Sequence, residues 1–124
     1  VTLLDRPAGF RGTFRTDLPA RAVYSEGAGP YRIVPAAVAL PRDREDLIEL
    51  VRHAAAEGLA LVPRGAGTGI PGHNVGPGVV VDLQAFDRPS RVALAGSANI
   101  GAAVTCGVLN TIAAHFGMRF APDP

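Results

Sequence analysis

Pro63-Arg64-Gly65-Ala66-Gly67-Thr68-Gly69-Ile70-Pro71-Gly72 places glycines at alternate positions and closes on a fourth. Glycine reaches left-handed or crowded backbone angles without a Cβ clash. Several glycines so close together leave main-chain N–H groups bare, and a concave nest of such donors binds anions, phosphate above all. Arg64 adds a cation and Thr68 a hydroxyl beside them. A surface loop of no special function is the alternative reading of any glycine cluster, so the flanking sequence has to decide.

Upstream, Ala37-Val38-Ala39-Leu40 is a short apolar run stopped by Pro41, which predicts a buried strand. Asp43 is placed to cap a helix, with Asp46 in the acidic position of a capping box. Leu47, Ile48, Val51, Ala54 and Ala55 then share one helical face, and Gly58 stands where a helix would end. Leu59-Ala60-Leu61-Val62 follows as a second apolar strand that runs straight into the glycine loop. Strand, helix and strand in that order predict two parallel neighbours, near residues 37–40 and 60–63, joined by a right-handed crossover. The loop therefore lies at the carboxyl end of a parallel strand, the edge where α/β sheets bind ligands. That context favours the phosphate reading.

Downstream, Val79-Val80-Val81-Asp82-Leu83 has the strongest strand character in the chain, fed by the turn Gly76-Pro77-Gly78. A weaker strand spans Arg91 to Ala95, and Gly96 to Gly101 reads as a turn. Thr105 is placed to cap a second helix, with Val108, Leu109, Ile112, Ala113 and Phe116 inward and Gly117 at its end. Prolines hold Phe120 to Pro124 extended. Residues 1–35 are broken by proline and glycine too often for a long helix or strand. They read as an irregular arm anchored by Tyr24, Tyr31 and Ile33.

Gly67-Thr68-Gly69-Ile70-Pro71-Gly72 also matches G-x-G-x-x-G, with Asp87 about twenty residues on. The dinucleotide fingerprint needs a helix immediately after the loop to hold the pyrophosphate. His73-Asn74-Val75-Gly76-Pro77-Gly78 cannot form one. Any phosphate must be held by loop N–H groups alone.

Composition removes other classes. The chain has 124 residues, 48% hydrophobic and 19% charged, which suits one soluble globular domain. A net charge of +1 gives no electrostatic reason for nucleic acid as a partner. All 12 basic residues are arginine, so a Walker loop, which needs lysine, is excluded. The lone Cys106 forms no internal disulfide and no cysteine metal cluster, and His53, His73 and His115 have no metal-ligand spacing. Asp82 reads as a hydrogen-bond acceptor at a strand edge. No apolar run is long enough for a transmembrane segment, and the start at Val1 leaves a processed or partial product open.

Tyr24-Ser25 through Tyr31-Arg32-Ile33-Val34-Pro35, Val38 to Pro41, Pro63 to Thr68, Gly72, Val80 to Leu83, Val104-Thr105, Leu109-Asn110 and Ala121-Pro122-Asp123-Pro124 resemble the FAD-binding domain of flavin-linked D-2-hydroxyacid dehydrogenases. The branches it is similar to include D-lactate dehydrogenase, the glycolate oxidase flavin subunit and D-2-hydroxyglutarate dehydrogenase. The resemblance implies an α+β fold of the PCMH or vanillyl-alcohol-oxidase type. The N-terminal β-α-β subdomain and part of the second would be present. Residues 1–35 would be the arm, and 36–124 a partial FAD-binding domain truncated at its C-terminal end.

By position, the resemblance implies that the N–H groups of Gly65, Ala66, Gly67, Thr68 and Gly69 hold the FAD pyrophosphate, with Arg64 and Thr68 shaping the loop. Gly72 and His73 would line the cofactor beyond it, Val104 and Leu109 would lie near the adenosine half, and Pro122 and Asp123 would lead toward the flavin ring. Covalent branches carry a histidine at the place of Thr68, so the flavin here would be non-covalent. A small 2-hydroxy acid would be the substrate, with an electron acceptor that the sequence does not identify. The location would be cytoplasmic or peripheral to the inner face of the membrane. No catalytic residue is expected in this stretch. Two departures stand out: Glu26-Gly27-Ala28-Gly29 replaces the family's usual Thr-Asp-Ala-Ser, and the span from Arg91 to Thr105 is short enough to suggest a missing strand or hairpin. The alternative function is a non-catalytic anion- or nucleotide-binding module, or an inactive flavoprotein remnant.

Overall fold

The computed structural model describes residues 4–93 and 96–122. The chain forms two compact units, Val1–Ala85 and Phe86–Pro124. In the first, strand β1 (Thr13–Arg15), helix α1 (Leu18–Val23), strand β2 (Ala37–Leu40), helix α2 (Arg44–Glu57), strand β3 (Leu61–Arg64) and strand β4 (Val79–Asp82) follow in order. The sheet runs β1-β2-β4-β3, with β1 antiparallel to β2 and the other three parallel.

β2 and β3 are thus parallel members of one sheet but not the neighbours the β-α-β pattern predicts, because β4 lies between them. The cause is residue chemistry. All four residues of β4 are buried, as a central parallel strand requires. β3 carries Pro63, which has no N–H for a ladder and is tolerated at an edge. Arg21 Nε donates to the Pro35 carbonyl at 2.6 Å. The arm is therefore more ordered than its punctuation suggests, contributing an edge strand and a short helix whose cap, Asp17, accepts from the Ala20 N–H.

α2 starts at Asp43, whose side chain accepts the Asp46 N–H at 2.9 Å, and stops at Gly58 with φ +65°. Asp46 does not complete a capping box. Its buried carboxylate accepts the main-chain N–H of Arg42 and of Arg11 and the Arg11 Nε, each at 3.0 Å. That network rotates the inward face to Asp46, Leu50 and Ala54, while Val51, expected inside, is 49% exposed. Leu50 packs with Phe10, Ala37, Ala39, Val79 and Val81 to form the core. Val38 and Val80 alternate to the opposite face and are also fully buried.

The second unit contains strand β5 (Pro89–Ala93), strand β6 (Ser97–Ile100) and helix α3 (Cys106–Ala114). β5 and β6 pair antiparallel. The segment read as a turn is therefore mostly strand. Ser97-Ala98-Asn99-Ile100 has little intrinsic strand preference, so pairing with β5 rather than propensity sets its conformation. Thr105 caps α3 through the Val108 N–H at 3.3 Å. Leu109 and Ala113 are buried there, but Val108 and Phe116 are 45% and 42% exposed.

Candidate functional site

The ladder between β3 and β4 ends with Arg64 opposite Asp82, and the Leu83 N–H closes it on the Arg64 carbonyl at 2.9 Å. The chain then leaves the sheet as the glycine loop. Gly67 is buried with φ +75°, a conformation that needs glycine, and Gly72 turns the chain again at φ +85°. The Tyr31 ring stands where a Gly72 side chain would be, and the His73 ring fills the same space at Gly69.

Three of the loop's carbonyls accept hydrogen bonds from the protein. The Gly67 carbonyl accepts the Ala28 N–H at 3.0 Å, the Gly69 carbonyl accepts Asn74 Nδ2 at 3.3 Å, and the Gly72 carbonyl accepts the Val75 N–H at 3.3 Å. Among the described residues, no main-chain N–H from Gly65 to Ile70 has a protein acceptor. A row of free donors in a loop anchored through three carbonyls suits an anion. Asn74 Oδ1, buried beside the loop, likewise has no donor among the described residues.

The arm supplies the other wall. Residues 26–29 run against residues 67–70, so close that a Cβ on Gly29 would collide with the Ile70 carbonyl and one on Gly27 would lie 2.6 Å from Asn74 Oδ1. Glu26-Gly27-Ala28-Gly29, flagged as a departure, is thus a matched surface for this loop. Arg64 Nη1 donates to the Glu26 carbonyl at 2.7 Å, and its guanidinium stacks 5.3 Å from the Tyr24 ring centroid. The Tyr24 hydroxyl donates to Asp82 Oδ2 at 2.5 Å, and Asp82 Oδ1 accepts the Gln84 N–H at 2.9 Å. Burial, and then the Asp82 hydrogen bond and charge, push the Tyr24 phenol up to about 12, against the opposing pull of Arg64.

Arg64, Gly65, Ala66, Gly67, Thr68, Gly69, Gly72 and His73 are therefore gathered around one loop, with Ala66, Thr68 and His73 exposed. Pro122 belongs to the second unit and is exposed; Asp123 lies outside the described residues. Sequence reasoning gave Arg64 a place beside the loop but missed its partners Tyr24 and Glu26, and the Ala28 N–H that binds the Gly67 carbonyl. It also missed Asn74, for which no local pattern gave a signal. Tyr24 stood in the motif that carried the family resemblance, which was the available hint. Among the described residues, no group of three His, Cys, Asp or Glu side chains is placed to hold a metal.

The family model described as FAD binding domain matches residues 35–124. D-2-hydroxyglutarate dehydrogenase of Escherichia coli (strain K12) is 32% identical over 120 residues, which is 93% of this chain and 12% of that protein. The chain thus spans about an eighth of the length of the curated relatives it matches. Of solved structures, 6-hydroxy-D-nicotine oxidase from Arthrobacter nicotinovorans superposes with a TM-score of 0.72 at 29% identity, over 92% of this chain and 26% of that one. Alkyldihydroxyacetonephosphate synthase has the same TM-score at 20% identity, covering 90% of this chain and 26% of its own, a likeness of fold alone. The α+β fold of PCMH-type flavoenzymes, expected from the resemblance, is borne out.

Proposed function

This chain belongs to the FAD binding domain family, and from that membership we propose that it supplies the pyrophosphate cradle of a flavin-dependent oxidoreductase acting on a D-2-hydroxy acid. The observation that carries the reading is the row of unbonded N–H groups from Gly65 to Ile70, presented at the carboxyl end of β3 by a loop held through its Gly67, Gly69 and Gly72 carbonyls. Bound FAD supplies the two-electron acceptor for converting the hydroxy acid to its 2-oxo acid.

The chain's own part is binding and orientation. The N–H groups of Gly65, Ala66, Gly67, Thr68 and Gly69 would hold the pyrophosphate, with Arg64 supporting the loop, and Gly72 and His73 would line the cofactor beyond it. Thr68 stands where covalent relatives carry histidine, which supports a non-covalent flavin. The dehydrogenase names of the curated relatives support 2-hydroxyglutarate as the first substrate to try, before lactate and glycolate. Expressed from its complete reading frame, the protein is expected to purify yellow, lose its visible flavin absorbance anaerobically on addition of D-2-hydroxyglutarate, and release FAD on acid precipitation. A colourless product, or a flavin that none of the three acids reduces, overturns the reading.

A further inference from the structure

We propose that Tyr24 is a positioning residue for the glycine loop: with Asp82 and Arg64 it forms a strut that fixes the cradle before any ligand arrives. The inference rests on reading that loop as the phosphate cradle, but its geometry does not depend on the ligand.

The strut begins in the sheet. Asp82 is the last residue of the central strand, 2% exposed, and cannot move without disturbing β4. Its carboxylate takes the Tyr24 hydroxyl, which sets the aromatic ring in place. The ring faces the Arg64 guanidinium, and a planar cation stacks on an aromatic face in a way that lysine does not reproduce. Arg64 reaches on to the Glu26 carbonyl. Its far end occupies the space that a side chain at Gly67 would need, with Nη2 2.6 Å from a Cβ built there. The Ala28 N–H binds the Gly67 carbonyl. Gly67 is thus held by both Arg64 and the arm.

A loop rich in glycine loses much freedom on ordering. When a scaffold has already imposed that order, a ligand binds without meeting the cost. Tyr24 makes no use of its hydroxyl or ring that would put either at the loop's N–H groups, so its influence on a phosphate ligand passes through Arg64.

The test uses the full 124-residue chain and reads first without ligand. In Tyr24→Leu, hydrogen exchange of the Ala28 N–H, the reporter of the Gly67 carbonyl, is expected to rise by about tenfold or more while the β2 and β4 amides keep their protection. Arg64→Lys is expected to do the same. The double variant should be no worse than either single one, because both cut one strut. Tyr24→Phe keeps the ring and loses the tether, and should fall between. The second arm titrates FAD, ADP and riboflavin: affinity for the two pyrophosphate ligands is expected to drop by about tenfold in Tyr24→Leu with riboflavin unchanged. Parent-like Ala28 exchange in Tyr24→Leu, additive effects in the double variant, or equal loss of protection across β2 and β4 would each overturn the strut. If Tyr24→Leu does not fold, Tyr24→Phe and Arg64→Lys carry the same comparison. If the parent 124-residue chain binds neither FAD nor ADP, the exchange data alone decide the strut, and the proposed function is decided by the flavin content of the protein expressed from its complete reading frame.

Discussion

The left-handed backbone of Gly67 and the guanidinium of Arg64 occupy complementary space: Gly67 turns at φ +75°, and a Cβ there would lie 2.6 Å from Arg64 Nη2 and 2.9 Å from Cζ. Arg64 is therefore more than a cation at the rim. It fills the volume beneath the turn, and the absence of a side chain at Gly67 is what admits it.

Gly67→Ala should accordingly cost more stability than Gly58→Ala. Both positions have positive φ, so each substitution carries a left-handed penalty of about 1–2 kcal/mol. At Gly58 nothing lies within 4 Å of the new Cβ, and the penalty ends there. At Gly67 the methyl must also displace Arg64 from its place beneath the turn. Gly67→Val adds a β-branched residue at positive φ and should weaken FAD binding by about two orders of magnitude or more. Urea unfolding of the two alanine variants gives the comparison. Equal losses would show that Arg64 yields freely.

Acid should destabilise the protein partly through Asp46. Burial tends to raise its pKa, but the main-chain N–H groups of Arg42 and Arg11 and the Arg11 guanidinium outweigh this and hold it below the usual carboxylate range. A carboxyl depressed in the folded state contributes fully above its unfolded value of about 3.9, and the contribution is lost as pH falls through the folded value. Asp17, held at about 2 chiefly by the Arg15 hydrogen bond, acts in the same window. The informative quantity is therefore the difference between parent and Asp46→Asn. The variant should be less stable at neutral pH and lose less between about pH 5 and pH 2. An unchanged slope would remove Asp46 from the account.

What the sequence made legible were features set by local chemistry. The Asp43 and Thr105 caps, the Gly58 stop, the Val79-Val80-Val81 strand and the need for positive φ at Gly67 all follow from single residues and their neighbours. What it hid depends on partners distant in the chain. Nothing within residues 43–57 tells that Arg11 will draw Asp46 inward, so the helix face came out rotated. Nothing near β3 announces that β4 will insert beside it. The loop was legible as a donor nest, but its supports were not, because Tyr24 and Asp82 are 58 positions apart and meet through one hydrogen bond.

At high pH the Tyr24 tether should fail before the sheet does. Its phenol is pushed up to about 12, first by burial and then by Asp82. A group whose folded pKa lies above its unfolded value of about 10 adds stability that is complete below the unfolded value and is lost as pH rises through the folded one. Ultraviolet titration should therefore show a tyrosine ionising near 12 that is missing in Tyr24→Phe. Stability should fall between the two values in the parent and less in the variant. A phenolate transition near 12 that survives in Tyr24→Phe would assign the shift elsewhere.

Leu50 and Val51 put the rotated helix face to a direct test. They are adjacent on α2, yet Leu50 is 1% exposed within the core and Val51 is 49% exposed. Leu50→Ala removes a side chain packed among Phe10, Ala37, Ala39, Val79 and Val81. It should cost about 2–5 kcal/mol, the range for a leucine whose surroundings collapse only in part. Val51→Ala gives up little buried surface and replaces a β-branched residue with the best helix former. Its effect should stay within about 0.5 kcal/mol and can be stabilising. Because the inward face was expected to contain Val51, the two variants separate the hydrophobic pattern from the packing that Arg11 and Asp46 impose. Chemical unfolding of both, with equal slopes as the check on two-state behaviour, is the measurement. A larger loss for Val51→Ala than for Leu50→Ala would restore the face that periodicity alone suggests.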